Sequence, residues 1–135
     1  MMKKHLTLGQ LKHYLYELGW TYEEVQDGKL VMTLHGRRAT YRVIILLDES
    51  VKVLCIYCNF IQTNELGAEQ KQRLHQILNK VNARYYTVKI FENEQQQLTS
   101  SIEYDVIDSY IGQATWVNGL SSMIDAMDHI HTQVS

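Results

Sequence analysis

Between Leu18 and Phe60, three turn signals separate stretches of alternating apolar residues, and all three place the same alternate positions on one face. Asp27-Gly28 suits a two-residue type I′ hairpin, which needs positive φ at both central positions. Gly36-Arg37 suits a type II′ turn with glycine first, and Glu49-Ser50 closes a third hairpin. These turns predict Val25 opposite Leu30, Leu30 opposite Val43, Met32 opposite Tyr41, Val43 opposite Ile56 and Ile45 opposite Leu54. Directly opposed residues share a face, so Val25, Leu30, Met32, Leu34, Tyr41, Val43, Ile45, Leu54, Ile56 and Phe60 form the predicted core side of a four-stranded meander. A slip of one residue would turn a strand inside out.

Helices frame the meander. Thr7 with Gln10 is a capping box, Leu8, Leu11, Leu15 and Leu18 follow at helical spacing, and Gly19 suits the left-handed position that ends a helix. A second helix is predicted to open at Thr63 or Asn64 and to carry Leu74, Ile77, Leu78, Val81 and Tyr85 in one stripe. Tyr86, Val88 and Ile90 alternate, as do Leu98, Ile102 and Tyr104, giving a hairpin with its turn at Glu92 to Gln97. A last helix from Ser109 or Gln113, with continuity from Ile107 left open by Gly112 and Gly119, carries Trp116, Leu120, Met123, Ile124, Met127, Ile130 and Val134. The predicted class is α+β, in the order α-β-β-β-β-α-β-β-α.

A chain of 135 residues, 45% hydrophobic and 21% charged, is read as one domain over 1–135. A net charge of −2 gives no electrostatic reason to expect nucleic acid, which rewards a basic face through counterion release. Arg37, Arg38 and Arg42 are the one dense basic group and sit at a turn. Val43 to Leu47, the longest apolar run, is far too short to cross a bilayer, and Met1-Met2-Lys3-Lys4-His5 lacks the apolar stretch of a secretory signal. A reducing cytoplasm is the expected home. Cys55 and Cys58 fall within one strand, where residues three apart project to opposite faces, so two buried free thiols are expected and not a redox pair or zinc site.

No catalytic template is met, so no enzyme, cofactor or metal is expected. The glycines are scattered, which rules out a phosphate loop, and no nucleophile elbow surrounds Ser100, Ser121 or Ser122. His5, His13, His35 and His75 are isolated along the chain. Asp125, Asp128, His129 and His131 form the one cluster of metal-competent side chains; at the end of an amphipathic helix they read as its solvated side.

The chain resembles the YbjN family, whose members share the fold of type III secretion chaperones. The resemblance rests on the leucine-spaced first helix running into Leu18-Gly19-Trp20, the Asp27-Gly28-Lys29-Leu30 turn, Ile77-Leu78-Asn79-Lys80-Val81-Asn82 leading into Tyr86-Thr87-Val88, and the closing apolar helix. It implies a non-catalytic bacterial protein of the cytoplasm, chaperone-like or regulatory and often dimeric. The residues add a physical reason for a partner. With helices on the core side, the opposite side of the central strands carries Ile44, Leu46, Val53 and Cys55, an apolar patch of the kind that marks an interaction surface. The expected function is a chaperone-like or regulatory protein-interaction domain that binds a polypeptide partner and itself, through this sheet surface or along a helix edge. The alternative is a small-ligand or metal-binding domain with a pocket between the sheet and the C-terminal helix.

Overall fold

The computed structural model describes residues 6–106 and 111–134. Helix α1 spans Leu8–Glu17 and begins at the predicted capping box: Thr7 accepts from the Gln10 amide while the Gln10 side chain accepts from the Thr7 amide. At its other end Gly19 has φ of 72°, its amide donates to Tyr16 and the Trp20 amide donates to Leu15, the paired bonds of a Schellman motif.

Six antiparallel strands form one sheet: β1 (Glu23–Glu24), β2 (Lys29–His35), β3 (Thr40–Asp48), β4 (Val53–Gln62), β5 (Lys89–Glu92) and β6 (Gln97–Asp105). Their order is β1-β2-β3-β4-β6-β5, so the late hairpin joins the meander through β6 against β4. All three predicted turns are displaced, with unequal consequences. The first loop has three residues, Gln26–Gly28 in a 3₁₀ turn with Gly28 at φ of 71°, and Glu24 rather than Val25 opposes Leu30. That odd shift sends Val25 outward, 41% exposed. The second turn centres on Arg37-Arg38, so Leu30 opposes Ile45 and Met32 opposes Val43. The third loop holds four residues, Glu49 to Lys52, so Ile45 opposes Ile56 and Leu47 opposes Leu54. Both are even shifts, which change partners but preserve faces. The other predicted core-side residues therefore keep their side, with Leu34 and Phe60 half-buried at its rim.

Helices α2 (Ala68–Arg84) and α3 (Gln113–Val134) complete the core with α1. The second helix starts later than predicted because Thr63 and Glu65 belong to a separate 3₁₀ turn, and the Thr63 hydroxyl is committed to Glu92 and to the Gln96 carbonyl. Strand β5 also starts late, leaving Tyr86 94% exposed where the alternation predicts it inside. On β6, Thr99 and Ser101 are buried although they face away from the helices, so that side is not uniformly wet. The predicted start at Ser109 and continuity from Ile107 lie outside the described residues. Leu11 and Leu15 of α1, Leu74, Ile77 and Val81 of α2, and Trp116, Leu120, Met123, Met127 and Ile130 of α3 join Leu30, Val43, Ile45, Leu54 and Ile56 in one buried cluster. Gly119 lets α3 approach the sheet, since a Cβ there would collide with the Tyr104 hydroxyl.

One side chain fixes α3 to the meander. The Asp128 carboxylate, 8% exposed, accepts from the Arg37 amide at 2.8 Å, the Arg38 amide at 3.1 Å and the Tyr41 hydroxyl at 2.6 Å. Gly36 makes room, because a Cβ there would lie 2.6 Å from one carboxylate oxygen and 2.7 Å from the Tyr41 ring. Burial alone would raise the Asp128 pKa; the three donors, with His131 nearby, outweigh it and hold the carboxyl below its ordinary range. Replacing Asp128 by Asn should lower stability by about 2 to 3 kcal/mol in urea titrations at pH 7, the scale of lost charge-assisted bonds. A carboxyl depressed in the folded state contributes fully above its ordinary pKa of about 4 and loses that contribution as pH falls through the lower folded value. The Asp128→Asn variant should accordingly show a shallower loss of stability below about pH 4 than the wild type.

Candidate functional site

The side of the sheet turned away from the helices is built of rows that the strand register fixes. One row runs Glu23 (β1), Val31 (β2), Ile44 (β3), Tyr57 (β4), Ser101 (β6) and Lys89 (β5). The next runs Lys29, Leu46, Cys55 and Glu103 across β2, β3, β4 and β6, and the third joins Asp48, Val53 and Asp105. Ile44, Leu46, Val53 and Cys55 therefore adjoin one another across β3 and β4, half-buried and outside the core cluster. None of these four residues belongs to the cluster into which the hydrophobic residues of α1, α2 and α3 pack. The first two rows carry aliphatic, aromatic or thiol side chains on β3 and β4 and end in side chains of opposite charge, whereas the third sets Asp48 beside Val53.

The edges of the sheet are less open than its face. Edge strands invite further pairing unless their outward amides and carbonyls are occupied. On β5 the Asn82 side chain of α2 does this: its amide nitrogen donates to the Ile90 carbonyl at 2.9 Å and its oxygen accepts the Ile90 amide at 2.8 Å. On the other edge, β1 has two residues, both glutamates, and Glu23 reaches Arg42 at 3.8 Å.

The two cysteines lie on opposite sides of β4, as the strand geometry predicts, but only Cys58 is buried. Its burial pushes the thiol up to about 12. Cys55 is half-exposed in the patch, and its pKa is raised by partial burial and by neighbouring Glu103.

The acid and histidine cluster of α3 is divided in a way helical periodicity did not predict. Asp128 is the buried clamp, and His131 packs against Tyr41 and Phe60 with ring centroids 5.9 and 5.8 Å apart, its pKa lowered by burial. Asp125 is exposed and His129 half-buried. Among the described residues, no three His, Cys, Asp or Glu side chains are grouped to hold a metal ion. His13 pairs with Glu17 at 3.1 Å, and His35 contacts Thr40 at 3.1 Å. Cavities lie between the far end of β4 and the last turns of α3, around Phe60, His131 and Val134, and between α1 and the start of α3. Among the described residues, no helix is long and apolar enough to cross a membrane.

Comparisons with known proteins agree with this architecture. The fold matches the crystal structure of YbjN from E. coli with a TM-score of 0.72 at 15% identity, covering 97% of this chain and 96% of that one. It also matches a chain of the crystal structure of the ExsC–ExsE complex with a TM-score of 0.64 at 12% identity, covering 94% and 92%. No curated protein matches by sequence. The profile of the YbjN family, described as "Putative bacterial sensory transduction regulator", matches residues 7–122. The chain belongs to the YbjN family and has the type III secretion chaperone-like fold.

Proposed function

We propose that this protein is a non-catalytic regulator of the bacterial cytoplasm that works by binding polypeptides across the helix-free face of its sheet, and that a second copy of itself is one occupant. The observation that carries the reading is the order of charges along the rows. Turning a second copy by half a revolution about an axis that runs along the strands between β3 and β4 lays β3 over β4, β2 over β6 and β1 over β5. Leu46 then meets the partner's Cys55 and Ile44 meets the partner's Tyr57. At the ends of the rows Lys29 meets the partner's Glu103, and Glu23 meets the partner's Lys89. Along these two rows such an isologous contact is self-complementary in charge. Two sheets packed this way keep their strands within about 30° and lie about 10 Å apart, a separation that medium apolar side chains fill.

A client polypeptide can use the same surface, since a half-buried apolar band with charged flanks suits any segment of matching pattern. The family's description as a regulator and the fold's likeness to a chain crystallised in a two-protein complex both support a role in binding.

Light scattering across a concentration series should show the mass rising from 15.8 kDa towards twice that value. Leu46→Lys should hold it at the monomer mass with unchanged circular dichroism. Lys29→Glu should weaken association by roughly tenfold, because two symmetry-related pairs turn repulsive, and adding Glu103→Lys should restore it. A wild type that stays monomeric throughout, or a dimer indifferent to all three variants, would contradict the reading. Alkylation offers a second readout: modification of Cys55 should slow as the protein is concentrated, whereas Cys58 should remain unmodified until the chain unfolds, as peptide mass spectrometry can resolve.

A further inference from the structure

We infer that the hollow where the β2–β3 turn, the end of α2 and the second half of α3 meet binds a small phosphomonoester that also carries a planar ring, the chemistry of a nucleoside monophosphate. Arg37 and Arg38 from the turn, Arg84 from the last turn of α2 and Thr132 of α3 line this hollow, which encloses about 460 Å³. A second hollow of about 420 Å³ shares Arg84 and Tyr85 with it and continues past Tyr86 and Tyr104 to Ser122 of α3. Both volumes lie within the usual range of ligand pockets, roughly 300 to 1,000 Å³. None of the four residues of the apolar sheet patch lines either hollow.

The arginines point to the phosphate. Three of the chain's five arginines line the first hollow, and none of their guanidinium groups forms an ion pair with a carboxylate among the described residues. Arg38 donates from its Nε to the Thr132 hydroxyl at 3.0 Å, which holds the guanidinium against α3 and leaves its two terminal nitrogens to donate elsewhere. Arg84 lies over the Tyr85 ring, 5.5 Å from its centroid. Two carboxylates line the same hollow, and neither answers these charges. Asp128 is engaged by the Arg37 and Arg38 amides and the Tyr41 hydroxyl, while Asp125 is exposed and forms no ion pair among the described residues, which leaves it able to accept from a hydroxyl of the ligand. Like charges gathered in this way favour a dianion, and a planar guanidinium fork matches the oxygens of a phosphoryl group. Tyr86 points to the ring. It is 94% exposed beside the half-buried Tyr85, where the alternation of its strand would have placed it inside. Stacking a planar base on such a phenol withdraws both faces from water without requiring a particular base.

The probe is AMP, titrated calorimetrically into the full chain at low salt and about pH 7.5, with ribose 5-phosphate and adenosine as its two halves. AMP should bind saturably, ribose 5-phosphate roughly fivefold more weakly and adenosine at least roughly tenfold more weakly. Raising NaCl to about 0.5 M should weaken AMP binding, as screening of an exposed charge cluster requires. Arg37→Gln and Arg84→Gln should each weaken it by roughly tenfold, and because both side chains are exposed the Tm of the unliganded protein should hold. Tyr86→Ala should weaken AMP by roughly fivefold and leave ribose 5-phosphate unchanged. In ¹H–¹⁵N correlation spectra the amides moved by AMP should include those of Arg38, Tyr86 and Thr132. Absence of saturable binding, adenosine or ribose 5-phosphate binding as tightly as AMP, or undiminished binding by both arginine variants would each overturn the proposal.

Discussion

The carboxylate of Asp128 joins parts of the protein that lie about ninety residues apart in sequence, and the placement of the last helix depends on it. A buried charge is tolerable only when its hydrogen-bonding capacity is filled, and here two turn amides and one phenol fill it. The arrangement is mutual. The β2–β3 turn gains an acceptor for amides that a two-residue loop leaves without partners, and Gly36 keeps the space into which the carboxylate fits. Arg38 extends the contact by donating from its Nε to the Thr132 hydroxyl at 3.0 Å, one turn further along α3. With α3 held over the core side of the sheet, the other side is left to solvent or to a partner.

Much of this order was legible in the alternation of the meander, for a reason that concerns parity. A loop drawn one position too early displaces the register by two, which exchanges neighbours but leaves inside and outside intact; Ile45 is buried whether it faces Leu54 or Ile56. The first hairpin lacked that protection. Its glycine serves as the left-handed third residue of a three-residue loop, so the register moved by one and Val25 turned outward. Gln96 occupies the equivalent left-handed position in the β5–β6 loop without being a glycine, and composition gives no sign of it.

Asp128 was illegible for a different reason. Helical periodicity compares a residue with neighbours on its own helix, and an aspartate beside His129 and His131 resembles a solvated stripe; the donors that bury it come from a turn in the other half of the chain. Asn82 is a similar case, since its role appears only when α2 lies along the free edge of β5. The apolar patch could be anticipated from strand alternation alone, whereas the opposite charges at the ends of its rows emerged only with the sheet order, which places β6 between β4 and β5.

Edge and face are treated oppositely in this sheet. The edges are short, charged or occupied by a side-chain amide, so growth by strand addition is discouraged. The face keeps aliphatic side chains that solvent does not reward, and two of its rows end in side chains of opposite charge.

The most direct test is zero-length carbodiimide cross-linking of a mixture of ¹⁴N and ¹⁵N protein. Face-to-face pairing predicts a mixed-isotope link between Lys29 of one copy and Glu103 of the other, with a second between Glu23 and Lys89. Mixed-isotope links confined to helix residues, with Lys29 and Glu103 never joined, would contradict the assignment of the sheet face as the contact surface.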